Sequence, residues 1–163
     1  MALDLDIIRL KRVSSEVVVK LRSLLKEEVA QMLTMSEYHG FRKCPLSKKF
    51  IGEIIRFHDF DIDNIQLEIV HVDRDLRHEI HLHKKANAVA VCLDTADGFP
   101  GPRLARMFFH DRWLEVHAGD VIEIPARTPH GFTVSTGGRL FFLSAQSPPI
   151  VGIDESDDYF VLT

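Results

Sequence analysis

His81-Leu82-His83, with His130 following 47 residues later at the end of Gly119-Asp-Val-Ile-Glu-Ile-Pro125-Ala-Arg-Thr-Pro-His130, is the part of this chain whose reading decides the fold. On a strand, residues i and i+2 point to the same side, so His81 and His83 share a face. Two such rings can close on one metal ion at about 2 Å per nitrogen. A third ring from a distant strand completes a facial site with open coordination positions, and His130 is the candidate for it. Gly119-Asp120 reads as a tight turn, and Val121, Ile122 and Ile124 as a buried strand that Pro125 ends. Pro129 fixes the backbone just ahead of His130.

Working outward, strand-period segments fill the chain from Glu53 on. Candidate strands are Gly52–His58, Ile65–Val72, Glu79–His83, Ala88–Leu93, Arg103–Phe109, Trp113–His117, Asp120–Ile124, Gly131–Ser135, Leu140–Ser144 and Phe160–Leu162. Turn signals separate them, among them Asp61-Ile-Asp-Asn64, Gly98-Phe-Pro100-Gly101, Gly137-Gly138 and Pro148-Pro149. Many short strands at regular spacing mean a sandwich or a barrel, and eleven phenylalanines are available to fill it. The chain is thus mainly β, preceded by one helix. Ser14 or Ser15 caps that helix, which is expected to run to about Met35 with an apolar stripe through Val17/Val18, Leu21, Leu24/Leu25, Val29 and Met32/Leu33. The stripe packs on the domain's own sheet or on a second copy of the chain, as a homodimer. Residues 1–51 are expected to form an N-terminal helical extension and residues 52–163 the barrel.

The balance of the composition narrows the classes of function. The chain has 163 residues, 45% of them hydrophobic, which suits a single packed domain. A formal charge of -4 leaves no broad basic surface to neutralise phosphates, so nucleic acid is not expected as a partner. The only cysteines, Cys44 and Cys92, form no CxxC pair and read as idle thiols in a reducing compartment. The N-terminus carries no basic and apolar signal segment, and no apolar run approaches the roughly 18 residues needed to span a bilayer. A cytoplasmic protein with no membrane contact follows as the expectation. No Walker A, GxGxxG or GxSxG sequence occurs, so nucleotide folds and serine-hydrolase elbows have no support.

Residues 52 to 147 resemble the cupins, small jelly-roll barrels that often hold a divalent metal inside the barrel. His81 and His83 match the two histidines of the first cupin motif, G-x5-H-x-H-x3,4-E-x6-G; Asn87 stands at its glutamate, Asp75 at its first glycine and Asp94 at its last. Gly119, Pro125 and His130 match the second, G-x5-P-x-G-x2-H-x3-N, with Arg127 at the middle glycine and Val134 at the final asparagine. The resemblance implies a jelly-roll β-barrel with a divalent metal on His81, His83 and His130. Asn87 can add only a weak, neutral carbonyl oxygen. Three-histidine branches of the cupins, the cysteine and diketone dioxygenases, normally use ferrous iron. The resemblance therefore points first to an Fe2+ oxygenase acting on a small, anionic molecule, with Zn2+, Ni2+, Mn2+ or Cu2+ as other ions. A sugar isomerase or epimerase and a non-catalytic small-molecule binding or sensing module are the alternatives.

The remaining candidates come from strand parity. Glu79 lies two residues before His81 and shares its face, where it can coordinate, orient a ring or act as general base. Arg106, between apolar neighbours, is a candidate for pairing with a substrate carboxylate, and Arg127, beside the metal loop, for gating the mouth or binding an anion. His110 and His117 are expected on the surface near turns, and His39, His58 and His71 have no partner spacing.

Overall fold

The computed structural model describes residues 9–37, 40–46, 65–93, 105–149 and 158–162. Along these run β1 (Arg9–Arg12), α1 (Ser15–Leu24), α2 (Lys26–Met32), β2 (Phe41–Pro45), β3 (Gln66–Val72), β4 (His81–His83), β5 (Asn87–Leu93), β6 (Ala105–Phe109), β7 (Arg112–Val116), β8 (Asp120–Ile124), β9 (His130–Val134), β10 (Leu140–Ser147) and β11 (Tyr159–Val161). The candidate strand Gly52–His58, together with His39 and His58, lies outside the described residues.

The strands form two antiparallel sheets. One has the order β1-β8-β5-β10-β3-β2 and the other β11-β4-β9-β6-β7. Alternation explains how they face each other. Val70 and Val72 of β3, Ala88, Ala90 and Cys92 of β5, and Leu140 and Phe142 of β10 enter one apolar core with Met107, Phe109, Phe132 and Val134 of the second sheet. Phe132 and Phe142 stack across the two sheets at 4.3 Å between ring centroids.

The opposite parity of the six-stranded sheet feeds a second core. Ile69, Val91, Val121, Phe141 and Leu143 pack there under Leu21, Leu25 and Met32 of the helices. Strands β3 and β10 are therefore buried on both faces, and their sequences read as near-continuous rather than alternating runs. The apolar helical stripe thus docks on the protein's own sheet.

Two expectations about the N-terminal part need correcting. The predicted single helix is two pieces, because the backbone at Leu25 departs to φ -96° and ψ 8°. Leu25 N–H still donates to Leu21 O and Leu25 O still accepts from Val29 N–H, so the chain bends without losing its ladder. Ser14 does cap the first piece, its side chain accepting from Val17 N–H at 3.3 Å. The segment expected as an N-terminal helical extension also supplies β1 and β2, paired to β8 and β3.

The Gly119 turn joins these parts. Its N–H donates to Cys92 O at 2.7 Å and its carbonyl accepts from Val13 N–H at 2.9 Å. The next residue, Asp120, is fully buried and accepts from His117 N–H at 2.8 Å. Gly119 has φ +91°, and a Cβ placed there would lie 2.7 Å from Val13 O. Both the left-handed backbone and the close approach require glycine. Gly119→Ala is expected to cost about 2 kcal/mol of stability, read as a lower urea midpoint with an unchanged m-value.

Candidate metal centre

β4 carries His81 and His83 on its inward face, and β9 begins with His130. The two strands pair with His81 directly opposite His130. This register brings the three rings together, with centroids 4.3 Å apart for His81–His130, 5.2 Å for His81–His83 and 5.3 Å for His83–His130. One nitrogen from each ring lies within 4.8 Å of the others, the arrangement a single ion needs.

The outer nitrogens settle which ones face inward. His81 Nδ1–H donates to Glu79 O at 3.2 Å, and His130 Nδ1–H donates to Thr128 O at 2.8 Å. His83 Nδ1 lies 3.8 Å from the Asp158 carboxylate. Nδ1 of His81 and of His130 thus each has a carbonyl acceptor, which leaves the Nε2 lone pairs of these two rings for an ion. Burial and neighbouring imidazoles push His81 well below the usual histidine range. Burial first, then His130 and Lys43, pushes His83 down to about 3, and burial and Lys43 take His130 to about 4 against the raising effect of Thr128 O. All three rings are neutral at pH 7, the form that binds metal. The residues present therefore fit a divalent ion.

The short β4 is held from several sides. Asp158 O accepts from Lys84 N–H, and the Asp158 carboxylate accepts from Lys85 N–H and, at 3.1 Å, from Ala86 N–H. Tyr159 of β11 stacks on His81 at 4.5 Å. Ahead of the strand, Thr133 Oγ1 of β9 donates to Asp75 and accepts from Leu76 N–H.

Not every sequence candidate joins this cluster. Asn87 is exposed, and its Oδ1 accepts from Ala126 N–H at 2.9 Å, so the residue at the motif's glutamate position ties down the His130 loop instead of facing the rings. Arg106 is exposed between inward Ala105 and Met107, so strand alternation turns it away from the cavity. Arg127 is exposed too. Its backbone, at φ +64°, takes the left-handed conformation that suits glycine, and its N–H donates to His83 O at 2.6 Å. Glu79 does reach the cavity, and its carbonyl oxygen orients His81. His110 and His117 are exposed, as expected. His71 is buried on the helix side of β3, stacked on Phe141 at 4.4 Å and accepting from Arg42 at 3.2 Å. Cys44 and Cys92 are buried cysteines.

Sequence reasoning did not reach the wall opposite the histidines. A cavity of about 50 Å³ separates His81, His83 and His130 from Lys43 of β2, Glu68 of β3, and Ser144 and Gln146 of β10. Glu68, in the mostly apolar run Leu67–Val72, was the available signal, since a carboxylate in a strand buried on both faces needs a partner.

Comparison with known proteins agrees with this architecture. No protein-family model and no curated protein matches the sequence. Solved structures do. A uridine complex of Streptomyces Pac13 aligns with a TM-score of 0.53 at 11% identity, covering 78% of this chain and 82% of that one. A cupin-2 domain protein of Rhodospirillum rubrum aligns at 0.52 and 15% identity, covering 79% and 72%. KdgF from a Halomonas species aligns at 0.51 and 13%, covering 72% and 86%. The protein has the cupin fold, and among its described residues His81, His83 and His130 form a cluster that can hold a metal ion. No helix among the described residues is long and apolar enough to cross a membrane.

The lowered histidines carry a pH consequence. Unfolded imidazoles titrate near 6.5, whereas folded His83 and His130 titrate near 3 and 4. Between those values the unfolded chain binds more protons, so folding stability is full above about pH 6.5 and is lost as pH falls toward 4. In metal-free protein each such histidine should add a slope approaching about 1.4 kcal/mol per pH unit in that window. Urea unfolding at pH 7, 6, 5 and 4.5 should show a flatter dependence for His130→Gln than for the wild type.

Proposed function

We propose that this protein is a metal-dependent cupin enzyme acting on a small, anionic molecule, with His81, His83 and His130 as the metal ligands. The convergence of the three rings, one nitrogen from each within 4.8 Å of the others, carries the reading. Bound there, a divalent ion supplies Lewis acidity, and as ferrous iron it supplies the redox chemistry of an oxygenase. Three neutral imidazoles leave the full ionic charge in place, which favours an anionic substrate. The protein's own contribution is orientation. Glu79 O and Thr128 O fix two rings, and Asp158 stands behind the third. The apolar lining, including Phe132 and Phe142, keeps the cavity poor in water.

A second reading is metal-assisted proton transfer, as in a sugar isomerase or epimerase. Glu79 and Glu68 both reach the cavity, and either could move a proton. The uridine complex of Streptomyces Pac13 supports small-molecule binding by a protein of this fold. In a non-catalytic sensing module, by contrast, ligand affinity would survive loss of the histidines.

Elemental analysis of freshly purified wild type beside His81→Ala and His130→Ala is the deciding measurement. The wild type should retain a divalent metal and both variants should lose it. A wild type carrying no more metal than its variants would overturn the centre. With Fe2+ restored, oxygen uptake tested across small acids and thiols should be stimulated by at least one of them in the wild type only. Metal without any uptake shifts the assignment to proton transfer.

A further inference from the structure

The cavity has a second pole, and its hydrogen bonding is incomplete. Glu68 is 2% exposed, and both of its hydrogen bonds fall on one oxygen: Lys43 Nζ and Gln146 Nε2 each donate to Oε1 at 2.9 Å. Glu68 Oε2 receives no hydrogen bond among the described residues. Gln146 is 5% exposed; its Nε2 also reaches Ser144 Oγ at 3.1 Å, while its Oε1 is buried with no partner. All four side chains line the space that the three histidines face.

The chemistry of this wall is that of an acceptor. Lys43 and Glu68 neutralise each other, so the wall carries no net charge to attract an anion. It does offer two oxygens, one anionic, that lack donors. A buried acceptor without a donor costs free energy, and a ligand that supplies one recovers it. Such atoms persist where a ligand completes them. The volume sets the scale. About 50 Å³ corresponds to a few waters at roughly 10–15 Å³ each, so a matching ligand has only a handful of non-hydrogen atoms.

We propose that Glu68 and Gln146 form a subsite for the hydrogen-bond-donor end, hydroxyl or ammonium, of a small substrate whose anionic end lies toward His81, His83 and His130. The inference builds on the metal-centre reading and names the substrate class: a short hydroxy or amino acid rather than a plain carboxylate. Lys43 is the positioning residue, since its ammonium joins Gln146 Nε2 on Oε1 and leaves Oε2 as the carboxylate oxygen that receives no hydrogen bond among the described residues. Gln146 is fixed in turn by its bonds to Glu68 and Ser144, which leaves its carbonyl as the second acceptor.

Three near-isosteric probes test this: acetate, glycolate and glycine, titrated calorimetrically into metal-loaded and metal-free protein. Glycolate or glycine should bind at least about tenfold more tightly than acetate, the worth of one added hydrogen bond to a charged or buried acceptor. Whichever of the two binds tighter identifies the donor. Gln146→Met should cut the preference to under about threefold. Glu68→Gln turns an N–H toward the cavity in place of Oε2 and should abolish the preference for glycine, whose ammonium cannot accept, while the glycolate hydroxyl can still accept from that N–H. Thermal melts report whether either variant is folded, and two independent variants guard against one failing. Equal affinity for all three probes, or no binding by any, overturns the subsite; so does a preference that survives in both folded variants. Metal content measured on the same samples separates the two readings. Metal retained without discrimination leaves the centre standing and removes the subsite. Discrimination in protein that holds no metal does the reverse.

Discussion

The centre depends on one register. β4 is only three residues long, and its pairing with β9 is the single match His81 opposite His130. A slip of one residue would turn Leu82 inward and both histidines out, because side chains alternate along a strand. So short a pairing cannot hold its register alone. It is held by contacts at both ends: Arg127 N–H on His83 O, Leu162 N–H on Ile80 O, and Asp158 on the turn that follows. On the other side Gly131 brings β9 so close to the segment before β4 that a Cβ there would lie 3.2 Å from Glu79 O. Bulk at that position would push apart the two strands that carry the three histidines.

The three imidazoles are costly to bury unless they stay neutral, and they do. The residue that occupies the motif's carboxylate position, Asn87, bonds a loop amide instead. Negative charge in the cavity comes from elsewhere, from Glu68 across the barrel and Glu79 beside His81. Glu68 is already half-satisfied by Lys43 and Gln146. Two carboxylates therefore divide the work: Asp158 lies behind His83 and ties the turn after β4, and Glu68, buried on the opposite sheet, lines the cavity.

What was legible in the sequence follows from where periodicity is informative. The alternation His81-Leu82-His83 is local, and Gly119, Pro125 and Pro129 have backbone consequences that hold in any context, so the ligand strands and the turn between β7 and β8 could be read directly. Arg106 was open to either parity until Ala105 and Met107 settled it. Glu68, Ser144 and Gln146 escaped because β3 and β10 are buried on both faces, where alternation no longer distinguishes barrel interior from helix contact. β1 and β2 escaped because four- and five-residue edge strands carry too little pattern to compete with the helix between them. The bend at Leu25 left no mark, since the apolar stripe continues through it.

Arg127 shows how a motif position can be kept in geometry while being lost in composition. The second motif has glycine there, and the backbone at Arg127 still adopts φ +64°. For a residue with a Cβ, that conformation costs about 1 kcal/mol or more. The loop bears it because both flanks are bonded: Arg127 N–H to His83 O at 2.6 Å and Thr128 N–H to Pro125 O at 3.3 Å. Relaxing the backbone would break the tie between the His130 loop and the His83 strand, which costs more than the strain it relieves. The guanidinium has no part in that balance, since it is exposed and the residue does not line the cavity. The position therefore serves the histidine cluster through its backbone, and its exposed positive charge is an addition that the fold tolerates without requiring it.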